Sequence, residues 1–126
     1  MLPLVLPHSV MSVGAPTALL IVASSKFRDA NPKAYNAFFA ALKEAIDAVN
    51  HDKKAAAQRY LEWSGDKKST VDEVFNAINN PDYAFTLTPE KVFRTAEFMA
   101  RIGTIKDKPN AWQDMFFPEV HKLPGN

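Results

Sequence analysis

The sequence predicts an α/β chain that is mainly helical, with short strands at its N-terminal end and about four to five helices after them. Two observations carry that reading. Residues 1–25 contain no Asp, Glu, Lys or Arg, and all 15 basic and 14 acidic residues lie from Lys26 onward. At the same point the apolar residues change from short runs broken by Pro, Gly or Ser to the three-and-four spacing of amphipathic helices. The boundary separates 1–25, a segment of short strands, from 26–126, a helical part.

The N-terminal runs are LPLVL (2–6), VMSV (10–13) and TALLIVAS (17–24). Each is short, apolar and bounded by turn residues, as a buried strand is. A targeting leader is the competing reading of "APTALLIVASS", but a leader needs a basic segment ahead of its apolar one, and none stands there. A membrane-spanning helix needs ~20 consecutive apolar residues, and Pro3, Pro7, Gly14 and Pro16 interrupt the stretch.

The first helix is expected over 31–50. Asn31 is placed to cap its free amides, and Pro32 suits the first helical position, where a missing N–H costs nothing. Tyr35, Phe38, Phe39, Leu42, Ala45, Ile46 and Val49 then fill an arc of about 120° that should face a core. A second helix follows Asp52, its cap, with Ala56, Tyr60 and Trp63 inward and Gly65 as its stop. The third begins at Thr70, which stands three residues before Glu73 in capping-box spacing. It buries Val71, Val74, Phe75 and Ile78 and ends before Pro81; "DYAFTL" (82–87) is then a connector or edge strand. The fourth helix is expected to open at Thr88 and Pro89 and to close at Gly103. Its apolar residues, Val92, Phe93, Ala96, Phe98, Met99, Ala100 and Ile102, spread over roughly 220°, too wide for a one-sided stripe. A second cover is therefore expected from Trp112, Phe116 and Phe117, in a final turn capped by Asn110.

Composition limits the chemistry. With 126 residues, 47% hydrophobic and 23% charged, the chain has the make-up of an ordinary globular unit with one core. A net charge of +1 with interspersed signs argues against a nucleic-acid partner. The absence of cysteine excludes disulfides, zinc–thiolate sites and thiol catalysis. His8, His51 and His121 stand far apart without ligand spacing, so no metal is expected. No phosphate-binding glycine loop and no G-x-S-x-G elbow occurs, and Ser9, Ser12, Ser24 and Ser25 have no nearby base. Glu44 with Asp47, and Asp72 with Glu73, fall on helix faces that should be solvated. Catalysis by a local constellation of residues is therefore unsupported, and neither a catalytic residue nor a cofactor is expected.

Five motifs nevertheless occur in a distinctive order: "GAPTALLIVASSKF", an F-R-x-x-N-P helix start at Phe27 to Pro32, a T-P helix start at Thr88, I-G-x-I from Ile102, and W-x-D-x-F-F-P-E from Trp112. Together, over essentially the whole chain, they resemble the C-terminal part of substrate-binding proteins of the nitrate/sulfonate/taurine type of ABC importer. The resemblance implies a type II periplasmic-binding-protein fold, in which two α/β lobes close on a small anionic solute and hand it to a membrane permease. It implies a protein that does no chemistry, and so not an enzyme, and a periplasmic location, although the chain shows no signal peptide. The chain is less than half the usual family length and departs from it by lacking most of the second lobe and the start of the first. Marginal stability or self-association of the isolated chain is expected from the strand edges this leaves unpaired. Gly14 and Thr17, at the crossover turn "SVGAPTA", are the candidate solute contacts: Gly14 for close backbone approach, Thr17 for its hydroxyl or amide. Two alternatives stand beside this one: a helical protein-interaction module, and a protein resembling the thiamine-pyrimidine-synthesis enzymes built on the same scaffold.

Overall fold

A computed structural model describes residues 17–126 of the chain. Its regular structure is helical: α1 (Ser25–Ala30), α2 (Pro32–His51), α3 (Lys53–Ser64), α4 (Val71–Ile78) and α5 (Val92–Arg101), followed by two 3-10 turns at Trp112–Met115 and Pro118–Val120. No strand occurs among the described residues. Residues 17–24, expected as a strand, lie outside any ladder; the runs at 2–6 and 10–13 fall outside the described residues. A strand exists only through a ladder of hydrogen bonds to a neighbour; among the described residues this stretch has the backbone bond from Thr17 to Glu90 but no ladder.

The chain divides into two compact units, Val22–Thr86 and the described residues up to Ile21 with Leu87–Asn126. In the first, α1 contacts α2, α2 contacts α3, and α3 packs on α4. The sequence reading runs directly from Lys26 into the long helix and misses α1 as a separate element. Ser24 starts it by accepting the Phe27 N–H at 3.1 Å, a signal that was present in the sequence as a serine before the first charged residues. Asn31 stands at the N-cap of α2, but its side chain does not cap that helix. It donates instead to the Phe27 carbonyl of α1 at 3.1 Å.

On α2, Tyr35 is buried and Phe39, Leu42, Ile46 and Val49 are half-buried. Their alternating spacing of four and three forms one seam. Phe38 and Ala45, expected inward, lie one step round the helix and are exposed. Tyr35 stacks on Phe39 with ring centroids 6.5 Å apart, and the Arg28 guanidinium of α1 sits 5.5 Å from the Tyr35 ring.

The ends of α3 and α4 follow the sequence. Asp52 accepts the Ala55 N–H at 2.9 Å, and Gly65 closes α3 in the left-handed conformation with its N–H on the Leu61 carbonyl. Thr70 Oγ1 accepts the Glu73 N–H at 3.2 Å while Glu73 Oε2 accepts the Thr70 N–H at 2.7 Å, a complete capping box. Val71, Val74, Phe75 and Ile78 are half-buried, as expected. The inward face of α3 is a correction: Ala57 is fully buried and Leu61 half-buried, whereas Tyr60 is 48% and Trp63 85% exposed. Ala57 and Leu61 share one helix face, while the Tyr60 and Trp63 positions turn roughly 60° and 120° away from Ala57. A small residue on the buried face of α3 also lets a neighbouring helix approach closely. Residues 82–87 form an irregular connector, and Asn50 Nδ2 donates to the Phe85 carbonyl at 2.9 Å.

In the second unit the α5 start differs from expectation. Residues 88–91 are not helical, and Lys91 holds the left-handed conformation at φ 55° immediately before Val92. Tertiary hydrogen bonds account for the shift. Glu90 is tied to Thr17, and the buried Pro89 gives its carbonyl to the Asn126 N–H at 3.1 Å. The helix stops where the sequence indicates: Gly103 at φ 77° donates to the Ala100 carbonyl, and the Thr104 N–H returns to Met99.

The aromatic terminal stretch folds around one indole. Trp112 is 9% exposed, with the Phe116 ring edge-on at 5.9 Å and the His121 imidazole nearly perpendicular at 5.9 Å. Gly125 lies flat against it: a Cβ there would fall 2.9 Å from Trp112 Cε2 and Cζ2. His121 Nε2 lies 2.8 Å from the Phe116 carbonyl and 3.1 Å from the Gln113 carbonyl. Both neighbours are acceptors, so this nitrogen carries the proton. Asn110 does not cap the final turn with its side chain. Asp114 reaches back instead, accepting the Asn110 N–H at 2.8 Å and the Ala111 N–H at 3.2 Å. Val92, Ala96 and Val120 are also buried in this unit, but Phe98 and Ile102 remain exposed, so the wide apolar arc of α5 is covered only in part.

Candidate functional site

Of the two residues singled out as solute contacts, Gly14 lies outside the described residues. Thr17 is placed by a reciprocal pair with Glu90: its N–H donates to the Glu90 carbonyl at 2.9 Å, and its Oγ1 accepts the Glu90 N–H at 2.8 Å. The hydroxyl hydrogen is still able to donate, whereas the amide is already engaged. Of the two Thr17 groups suited to an anion, the hydroxyl is therefore the one left for the task.

Helix N-termini attract anions through their unpaired amides, so the occupancy of those amides decides which ends can serve. Asn126 fills the α5 end: its Oδ1 accepts the Lys91 N–H in a short hydrogen bond, and its carbonyl accepts the Val92 N–H at 3.0 Å. Asp52 and the Thr70–Glu73 box occupy the ends of α3 and α4. At each of these three ends at least one free amide is already taken.

One concave surface stands out in the second unit. Arg94, Glu97, Phe98, Ala100, Arg101 and Lys108 line an open depression of about 510 Å³. Lys108 Nζ reaches Glu97 Oε1 at 2.7 Å and also lies 5.3 Å from the Phe93 ring centre. Arg101 holds its guanidinium 5.5 Å from the Phe98 ring centre. Neither Arg94 nor Arg101 has a carboxylate partner among the described residues. Cations that look dispersed along the sequence thus gather here, because positions 94 and 101 are two helical turns apart and the loop after Gly103 returns Lys108 beside them. The seven-residue spacing was legible in the sequence; the return of Lys108 was not.

Three groups of the first unit have their titration displaced by neighbouring hydrogen bonds. Hydrogen bonds from the Ser69 hydroxyl and the Lys68 N–H hold the Asp66 carboxyl below its ordinary value of 3.8. The Thr70 N–H and hydroxyl hold Glu73 below 4.5 in the same way. Lys43 is raised above 10.5 by its hydrogen bond to Asp47. All three are structural pairings, Lys43 and Glu73 at exposed positions and Asp66 at a half-buried one. Among the described residues no group of three His, Asp or Glu is arranged to hold a metal ion, and no helix is long and apolar enough to cross a membrane.

Compared with models of protein families, with curated proteins and with solved structures, the chain matches none of them. The class that fold and surface define is a mainly helical chain with uncovered apolar segments.

Proposed function

We propose that the chain forms part of the solute-binding component of an ABC importer for a small anionic solute such as nitrate, taurine or another sulfonate, and that it supplies the C-terminal part of that component. The observation that carries the reading is the exposure of Leu19, Leu20, Ile21 and Val22, four consecutive aliphatic residues at 89, 49, 63 and 63%. Consecutive apolar residues suit a strand covered on both faces, the situation of a strand inside a parallel sheet with helices on either side. In a bilobed periplasmic-binding-protein fold, strands of the remaining lobe material would cover this segment. The motif order noted in the sequence supports the same assignment. The component would sit in the periplasm and meet a membrane permease, with Gly14 and the Thr17 hydroxyl as its contacts to solute from this part of the chain.

The test uses the natural protein isolated from its source cells through an antibody against residues 26–126. The expected species is periplasmic, larger than 14.0 kDa, and shows a rise in thermal midpoint with nitrate, taurine or an alkanesulfonate. A 14.0 kDa cytoplasmic species whose midpoint none of these solutes moves would overturn the proposal.

A further inference from the structure

We propose that the face of α5 carrying Arg94, Phe98, Arg101 and Ile102 docks an acidic helical segment of a partner protein. The proposal is independent of the solute-binding reading and rests on charge complementarity. Along one helix, residues seven apart are about 10.5 Å apart on the same side. Arg94 and Arg101 therefore present two uncompensated guanidinium groups in a line, with Phe98 between them. Phe98 is 46% and Ile102 57% exposed, so the cations flank apolar side chains that gain from being covered. Lys108 is already committed to Glu97 at 2.7 Å, which fixes one wall of the depression and leaves the two arginines as its free charges.

The spacing selects the occupant. Two arginines two turns apart on one helix face match two carboxylates seven residues apart on a facing helix, each guanidinium taking one carboxylate. An apolar side chain midway between those carboxylates would meet Phe98. A nucleic-acid backbone offers many phosphates and is held by many cations; two free arginines on a chain of net charge +1 fit it poorly. Arginine is also the cation suited to such an interface, because its planar fork pairs with carboxylates in two-point fashion and lies on aromatic faces.

The 126-residue chain can be titrated against a fluorescein-labelled synthetic helix with two Glu residues seven apart and a Leu between them, read by anisotropy. Its counterpart with Gln at both Glu positions serves as control. The acidic peptide should bind at least about fivefold more tightly than the Gln peptide, and R94Q with R101Q should weaken it about tenfold. Binding should also fall as NaCl rises from about 0.05 to about 0.3 M. Equal affinity for the two peptides overturns the proposal without any change to the protein. So does unchanged binding by a doubly substituted chain of unaltered helicity, or displacement of the peptide by single-stranded DNA or anionic vesicles at concentrations equal to those of unlabelled peptide.

Discussion

The two compact units start and stop their helices by different means. In Val22–Thr86 each signal is local: Ser24 caps α1 through Phe27, Asp52 caps α3 through Ala55, Gly65 closes α3, and Thr70 with Glu73 opens α4. Every one of these contacts spans three or four residues. In the other unit the start of α5 is set from afar, by Asn126, which is 35 residues from Lys91, and by Thr17, which is 73 residues from Glu90. A local cap needs only a short segment to order. A distant one requires loop closure, whose entropy must be repaid by contacts such as those of Trp112. Boundaries in the first unit should therefore survive changes elsewhere, and the α5 start should not.

The two tryptophans give the sharpest test. Trp112→Ala removes the indole against which Phe116, His121 and Gly125 pack and should destabilise this unit by about 3–5 kcal/mol in urea denaturation. Gly125→Ala attacks the same contact from the other side. With the indole 2.9 Å from the new methyl, a loss of about 1–3 kcal/mol is expected from the thermal midpoint. A neutral outcome would mean that the terminal residues swing away at little cost and that the distant cap is weak.

Thr70→Ala and Asn126→Ala compare a local cap with a distant one directly. Each removes one side-chain acceptor from a helix amide and should cost about 1 kcal/mol. Amide hydrogen exchange should show faster exchange at the start of α4 alone for the first, but through both α5 and residues 112–126 for the second. Confinement of the Asn126 effect to Lys91 and Val92 would break the distinction.

Acid should separate the units as well. Asp66 and Glu73 have folded values below their ordinary 3.8 and 4.5, so their stabilisation is present above those values and is lost as pH falls through the lower folded ones. Helicity at α4 should thus decline below about pH 4.5, ahead of α5, when followed by amide NMR shifts. The smallest effect belongs to Trp63→Ala: at 85% exposure it should move stability by less than about 0.5 kcal/mol. A larger loss would place Trp63 in a contact that the described chain lacks.

Much of the first unit was legible because its determinants are neighbours in sequence. Asp52, Gly65 and the Thr70–Glu73 pair act within one helical turn, and the seam of Tyr35, Phe39, Leu42, Ile46 and Val49 follows from the helical period. The misses there concern choice among legible alternatives. Asn31 bonds back to α1 instead of forward into α2, and α3 buries Ala57 while Tyr60 and Trp63 face out. Periodicity shows that a helix has an apolar stripe but not which of two adjacent stripes its partner will take. For the candidate sites, Thr17 was identified for its hydroxyl and amide, yet its pairing with Glu90 leaves only the hydroxyl hydrogen for a ligand.

By itself, then, the sequence determined a mainly helical chain after Lys26, the limits of α3 and α4, and the glycine stops at Gly65 and Gly103, because each depends on backbone preferences and on bonds across three or four residues. Tertiary structure alone decided that α5 begins at Val92 and not at Thr88, that Trp63, on the apolar side of α3 by its spacing, is left exposed, and that Lys108 comes beside Arg94 and Arg101. Those outcomes depend on which distant groups meet, and the free energy of such meetings is absent from any local window of residues.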